Sequence, residues 1–500
     1  MPDPSLVPDA AKIRAWIQDV FDQGIRRPGT PADRWAEEYV RRRFESLGLE
    51  SVRLEPVDTP YWEPRAAELI VGEGDAAESI PCFATPFSEP VDVEGELVRV
   101  GALGGAAKGR VALVDLPFIS LPATFPLTVR RSERIDAGPA APVQDAGWCH
   151  DPDAALESMT HIPPFSVALM QTMAPAIEVG AIGFVGVLRG YPGGGCQYYV
   201  PYDGAFRPIP GVYVCERDGD RLNALIARAA GTGGDAGAAR TVPVRIRVDA
   251  ERGSVTTHNV VGELPGADEE WVVVGSHHDG PWASAVEDAS GIALLLAQAE
   301  YWSHVAETER PHRLVFTVDA AHMAGGRGAD TFCELHESDL ERIVLEVHLE
   351  HPARECVERD GRLEVLDTPV PRWWFTSENP ELERAVWDAL VAEGLDRSLI
   401  MTPTALGERP TTDGGRFHLC GVPIVNYLTA PWYLFDAADT MDKVHDASLE
   451  PVTRATIRLV EWTAGRTAAG VRAGIRMSER EAAPFDEAVR NLVSGDGPPS

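Results

Sequence analysis

Residues 271–291, WVVVGSHHDGPWASAVEDASG, constrain the fold more than any other stretch of the chain. Trp271 to Val274 is a short apolar run of the kind that forms a fully buried strand, and Gly275 closes it. His277, His278 and Asp279 stand at the end of that strand, and Glu287 and Asp288 follow after a short loop. Asp288-Ala-Ser-Gly then opens IALLLAQAEYW, an apolar run with helical length and composition. An open α/β sheet binds its ligands just outside the carboxyl ends of its strands, and this stretch places imidazoles and carboxylates there. Two other stretches repeat the arrangement. Leu314–Val318 runs into Asp319–His322, and Ile343–Glu350 ends in HLEH at 348–351. Three strand ends carrying His and carboxylates predict one metal site.

The remainder of the chain fits an α/β protein of more than one domain. Its 500 residues exceed what a single core organises. The net charge of −32 disfavours nucleic acid and anionic membranes as partners. No run approaches a membrane span of roughly 20 apolar residues, and the first residues lack the apolar core of a signal peptide. The seven cysteines form no CxxC pair and no disulfide framework. A cytoplasmic location is the expectation, and homo-oligomerisation is left open.

In chain order, AAKIRAWIQDVF and ADRWAEEYVRRRFESLGL read as helices, with Thr30-Pro31 a helix start and Gly48 an exit. ESVRLEPVD alternates as a strand. From about 65 the texture changes to short strands split by Gly and Pro (GELVRVG, GRVALVDL, GAIGFVGVL, GVYVC), and this reads as an inserted, mostly β module over 65–235. TVPVRIRVDA alternates and rejoins the main sheet near 241, after which strands and helices alternate to about 470. The expected division is therefore 1–64 with the first helices and strand, 65–235 inserted, 236–470 with the strand ends that carry the His and carboxylate cluster, and a polar tail over 471–500. The expected fold is a mixed, mainly parallel central sheet flanked by helices.

The succession HHD, EDASG, DAAH, HLEH, TTDGGRF and FDAADT resembles the co-catalytic zinc aminopeptidases, whose relatives include glutamate carboxypeptidase II, the transferrin receptor ectodomain and glutaminyl cyclases. The likeness runs from about 25 to 465 and implies the family's α/β fold, with 65–235 as its protease-associated domain. It places His277 at the first metal-ligand position and Asp279 at the aspartate that orients it. The other positions depart from the family pattern. Glu287 replaces the bridging Asp, His322 replaces a ligand Glu, Glu350 replaces a ligand Asp, and Ala321 stands where the catalytic Glu belongs. Phe435 occupies the place of the last ligand His.

Each altered ligand other than Phe435 can still bind metal, so the surviving set is His277, Glu287, His322 and Glu350. Without the final His and a short bridging Asp, that set points to one divalent ion. Mixed N and O donors suit Zn first, with Fe or Mn as alternatives. His348 shares the face of Glu350 by strand alternation, and with His278 and Asp279 it is a candidate for the lost base. The resulting expectation is a metal-dependent hydrolase of an amide or other C–N bond in a small or peptide-like substrate. A lyase, cyclase or iron enzyme on the same fold, and a catalytically inactive binding homologue, are the alternatives.

Overall fold

The computed structural model describes residues 2–100, 105–126, 149–164, 172–229, 241–359 and 362–475. Two amphipathic helices open it, α1 (Ala10–Phe21) and α2 (Pro31–Ser46). The Thr30 hydroxyl accepts the Asp33 amide and so caps α2, while Pro31 takes the first helical position, where a missing N–H is harmless. Gly48 leaves the helix at a φ of +76°, the left-handed conformation that glycine adopts without penalty.

The strand begun at residue 50 is longer than its alternating segment, running as β1 over Glu50–Val71. The Gly/Pro-rich region supplies β2 (Asp92–Arg99), β3 (Val111–Pro117), β4 (Gly183–Arg189), β5 (Gly211–Cys215) and helix α3 (Glu216–Ala229). These strands pair in the order β5-β4-β3-β2, all parallel to their neighbours. They share one sheet with the rest of the chain, because the long β6 (Thr241–Leu264) serves both regions. Its first half pairs with β2, Thr241 opposite Val98, and its second half pairs with β8, Val260 opposite Val318. β1 lies antiparallel along it, from Arg53 opposite Val261 to Val71 opposite Val244.

The second half of the sheet contains β7 (Trp271–His277), β8 (Arg313–Asp319), β9 (Ile343–Leu349), β10 (Arg372–Thr376), β11 (Ser398–Met401) and β12 (Ile424–Thr429). Its order is β6-β8-β7-β9-β12-β10-β11. β8, β7, β9 and β12 are mutually parallel, and β10 turns antiparallel to β12.

β7 is buried throughout, as a central parallel strand must be. Its alternation serves two cores. Val272 and Val274 join the large core with α4 (Ser290–Ser303), the helix read from IALLLAQAEYW. Trp271 and Val273 join Phe332 and Cys333 of α5 (Arg327–Leu335) on the opposite face. α6 (Pro380–Glu393), α7 (Gly414–Leu419) and α8 (Asp446–Trp462) complete the helical layers. A short helix follows at Ala468–Ala473, and the polar tail expected over 471–500 lies outside the described residues from 476 on. All seven cysteines are free thiols. Among the described residues no helix is long and apolar enough to cross a membrane.

The middle of the sheet is packed without slack. A Cβ added to Gly275 would stand 2.7 Å from His348 Nδ1 and 3.2 Å from Glu346 Oε1. Gly275→Ala is therefore expected to cost about 1–3 kcal/mol by overpacking, read as a lower urea midpoint. An unchanged midpoint would show that β9 can yield.

Candidate metal centre

The parallel register sets His277 opposite Asp319 and Gly275 opposite His348, so the segments leaving β7, β8 and β9 emerge along one edge of the sheet. Each brings histidine to the same place. His277 Nδ1 lies 3.0 Å from the carbonyl of Asp279, and His351 Nδ1 lies 3.0 Å from the carbonyl of Thr429. His322 Nδ1 is 3.0 Å from Asp413 Oδ1, and His348 Nδ1 is 3.2 Å from Glu346 Oε1. A carbonyl only accepts, so Nδ1 of His277 and of His351 carries the proton. Their Nε2 lone pairs are then presented to the interior, the outer-sphere arrangement that orients metal-binding imidazoles.

Glu287 meets two of these rings. Its Oε1 lies 3.4 Å from His277 Nε2, and its Oε2 lies 2.5 Å from His351 Nε2. Donor atoms of His277, Glu287 and His322 all fall within 4.8 Å of one another, and so do those of His277, Asp288 and His351. Glu350 stands on the far side, 3.1 Å from His348 Nε2 and 3.6 Å from His351 Nε2. His277 Nε2, both Glu287 oxygens, Glu350 Oε1, His348 Nε2 and His351 Nε2 are buried yet have no hydrogen-bond partner. Buried polar atoms normally find partners. Unpartnered nitrogens and oxygens turned on one another fit a divalent cation of the borderline, first-row kind.

Glu287 and Asp288 differ in their hydrogen bonding. Asp288 Oδ2 accepts from Ser276 Oγ at 2.8 Å, and Oδ1 accepts the Gly291 amide at 2.9 Å, tying down the first turn of α4. Glu287 has both oxygens free. Its loop is held from two sides. The buried Arg26 guanidinium donates to the carbonyls of His278, Ala283, Ser284 and Glu287. Asp439 accepts the amides of Val286 and Glu287 at 2.9 and 2.8 Å.

Aromatic stacking fixes His322. Its ring lies 4.1 Å from that of His277 at an interplanar angle of 8°, and 5.4 Å from Tyr202 at 22°. Tyr202 in turn packs on Phe435 at 4.9 Å, which holds Phe435 within the buried core. Ala321, at the position expected for a base, is fully buried and holds a left-handed φ of +58°. Its methyl group cannot take a proton.

The three candidates for the lost base differ. His278 has Nε2 3.0 Å from the His258 carbonyl, and its Nδ1 faces Asp33 Oδ1 at 2.8 Å as an ion-pair contact rather than an aligned hydrogen bond. Asp279 accepts the amides of His322 and Met323 at 3.0 and 2.7 Å, and its carboxylate stands 3.7 Å from His277 Nδ1. It therefore positions the loop that carries His322. His348 alone keeps a free nitrogen toward the centre. Sequence reasoning missed Arg26, Tyr202 and His351. For His351 the signal lay in HLEH, but strand alternation assigns it the wrong face.

The charges are mutually compensating. Burial opposes protonation of His277, but Asp288, Asp279 and Glu287 hold its pKa well above the ordinary range. Burial opposes ionisation of Glu287, and His351 and His277 nevertheless hold its pKa low. Burial likewise opposes protonation of His278, yet Asp33 raises it to about 9. Away from this cluster, His312 lies beside Asp268 and Glu270, but both its nitrogens are engaged, by Asp268 at 2.8 Å and by the Thr463 carbonyl at 2.9 Å.

The chain is similar in part of its sequence and in its fold to known proteins. Residues 259–460 match the family described as Peptidase family M28. The fold is similar to an aminopeptidase from Aneurinibacillus sp. strain AM-1, at 19% identity and a TM-score of 0.60, covering 95% of this chain and 98% of that one. It is also similar to a peptidase M28 precursor from Shewanella amazonensis SB2B, at 18% and 0.64, covering 95% and 96%. A zinc aminopeptidase from Bacillus subtilis aligns at 15% and 0.63, covering 96% and 98%. No curated protein matches the chain.

Asp439→Ala is expected to strand two buried amides, at about 1–3 kcal/mol each, and to lower metal affinity together with thermal stability. Unchanged stability would mean that Arg26 alone holds the loop. His278 makes a second test possible in metal-free protein. Because its folded pKa of about 9 exceeds the ordinary value of 6.5, its contribution is complete below pH 6.5 and is lost as pH rises through 9. The stability gap between the parent and His278→Gln should close over that window, and a pH-independent gap would contradict the pairing with Asp33.

Proposed function

We propose that this chain, zinc-aminopeptidase-like and matched by peptidase family M28 over residues 259–460, hydrolyses an amide or other C–N bond in a peptide-like or small substrate with the help of a bound metal ion. The observation that carries the proposal is the convergence of His277, Glu287 and His322 donor atoms within 4.8 Å, buried, beneath the ends of parallel strands. One ion at this position would be held by His277, Glu287 and His322, with Glu350 facing it from the far side. Zinc suits the mixed imidazole and carboxylate set, and manganese or iron are the alternatives. Such an ion supplies Lewis acidity, which polarises a carbonyl and acidifies a water.

The protein's own part is proton handling. With Ala321 in place of a base, His348 takes that role in this reading. Its Nε2 has no hydrogen-bond partner but faces Glu350 at 3.1 Å. Glu346 at Nδ1 joins Glu350 in stabilising the imidazolium, and against the effect of burial they hold the His348 pKa above its ordinary value. Engagement of Glu350 by the ion would release Nε2 to take up a proton. Asn426 donates to the other Glu346 oxygen at 2.8 Å and fixes its orientation. Asp279, engaged by two loop amides, acts by positioning, and His278 braces the strand end against α2. Residues 65–235 serve as an inserted, protease-associated-like module that reaches the centre through Tyr202. An acidic chain of free thiols is consistent with a reducing, cytoplasmic setting.

Ala321 also favours a second reading, a metal-binding homologue without turnover. One experiment separates the two. Metal content by plasma mass spectrometry is measured beside hydrolysis of aminoacyl anilides and N-acyl amino acids. The hydrolase reading expects bound metal, lost in His277→Ala and His322→Ala, with turnover abolished by a chelator. It also expects His348→Ala to retain metal while kcat falls about 10²–10⁴-fold, the typical worth of a positioned base. Metal without turnover across the panel would support the second reading. Protein with neither metal nor turnover would overturn both.

A further inference from the structure

Two helices carry the His322 side of the centre, and their far ends bring two thiols together. His322 leads into α5 through Gly325 and Gly326, and Asp413 stands at the start of α7. The contact of His322 Nδ1 with Asp413 Oδ1, at 3.0 Å, therefore joins the helices at their N-terminal ends. The fit there is tight, since a Cβ added to Gly326 would stand 2.9 Å from Asp413 Oδ1. One step along the pair, Arg416 Nε lies 3.2 Å from Asp330 Oδ1. Phe417 then packs on Phe332, with ring centroids 5.5 Å apart.

The same register ends on Cys333 and Cys420. Cys333 is buried in the last turn of α5, and Cys420 lies partly exposed where α7 ends. Both pack in the small core on this face of the sheet, together with Phe332 and Phe417. The two side chains meet, the Cys333 thiol hydrogen-bonding to Cys420. Both are free thiols, and they differ in what they can do. A thiolate, not a thiol, attacks an oxidant. Burial and the neighbouring Cys420 push the Cys333 thiol up, so Cys333 keeps its proton. Its S–H is then the donor that steadies a thiolate on Cys420, the sulfur that solvent reaches.

We propose that Cys333 and Cys420 form a redox modification site, at which a peroxide joins α5 to α7 through a disulfide. The Cys420 sulfur attacks one peroxide oxygen and the O–O bond breaks. Cys420 becomes a sulfenic acid, and the departing hydroxide takes the proton Cys420 has lost and leaves as water. The Cys333 sulfur then attacks the Cys420 sulfur. The S–S bond forms, and the sulfenic oxygen leaves with the Cys333 proton as a second water. Two thiols have lost two electrons, and hydrogen peroxide has gained them. A dithiol reductant reverses the step by thiol–disulfide exchange. The bond closes the helix pair at the end opposite the His322–Asp413 contact, and so restrains His322 through both helices. The cross-link stands apart from the proposed metal site, and only its effect at His322 rests on that reading.

Full-length protein is reduced, freed of reductant and treated with a small excess of hydrogen peroxide. Thiols are counted in denaturant before and after, and the disulfide is located in a non-reducing tryptic digest. The count is expected to fall by two, from seven to five, with Cys333 and Cys420 in one cross-linked pair of peptides that dithiothreitol separates. The oxidised protein is expected to melt a few degrees above the reduced protein, and zinc loaded beforehand to leave for a chelator more slowly. Cys333→Ser and Cys420→Ser, shown to be folded by their melting curves in the reduced state, should show neither change. A count that stays at seven, a cross-link between other cysteines, or oxidation that stops on Cys420 with Cys333 still free overturns the modification site. The cross-link with unchanged zinc release overturns its effect at His322. Protein that binds no zinc overturns the proposed metal site, and the thiol count still decides the cross-link.

Discussion

The buried guanidinium of Arg26 is the constraint on which the centre depends. It donates to the carbonyls of His278, Ala283, Ser284 and Glu287, and so ties the start of the β7–α4 loop to its end. A buried loop of this length would otherwise leave carbonyls without partners, at a cost of about 1–3 kcal/mol each. Burial of the guanidinium lowers its pKa, and the charges of Asp439, Asp288, Asp279 and Asp33 offset part of that desolvation. One cation thus satisfies the loop's backbone and offsets the negative charge that a metal site requires nearby. With the loop closed in this way, the Glu287 carboxylate lies between His277 and His351.

Around that carboxylate the centre is richer in imidazole than the resembled pattern. His322 stands where a ligand glutamate is expected, and His348 and His351 flank Glu350. Each ring is fixed twice, by an acceptor at Nδ1 and by packing or strain on its own backbone. For His322 the packing is the stack with His277 on one side and Tyr202 on the other. Tyr202 comes from the Gly/Pro-rich region, so that region contributes to the geometry of the centre directly. In the proposed reading, His348, backed by Glu346 at 3.2 Å, takes the part of the base that Ala321 cannot supply.

The strands and helices were legible because they rest on local patterns. Trp271–Val274 reads as a buried strand from its apolar run, Thr30-Pro31 as a helix start from capping chemistry, and IALLLAQAEYW as a buried helix from its lack of a polar face. The strands of the Gly/Pro-rich region were legible one by one, but their membership of the common sheet was not. That depends on β6 being long enough to pair with β2 at one end and β8 at the other, which no local pattern encodes. Of the centre, His277, Glu287, His322 and Glu350 were expected as ligands from the positions the family resemblance gives them.

The sequence by itself determined which chemical groups arrive at the strand ends, because β–loop–α punctuation is local and its residue types are explicit. Only the tertiary structure decided which of them face one another. Asp288 is consumed by Ser276 and the Gly291 amide, whereas its neighbour Glu287 is left free, a difference set by contacts made across the fold. His278 turns to Asp33 on α2, distant in the chain, and leaves the centre. His351 enters it, because a left-handed residue beyond β9 breaks the alternation that would have pointed it elsewhere. Backbone conformation at one residue, enforced by Thr429 on the adjacent strand, is a property of the assembled sheet and is carried by no local sequence signal.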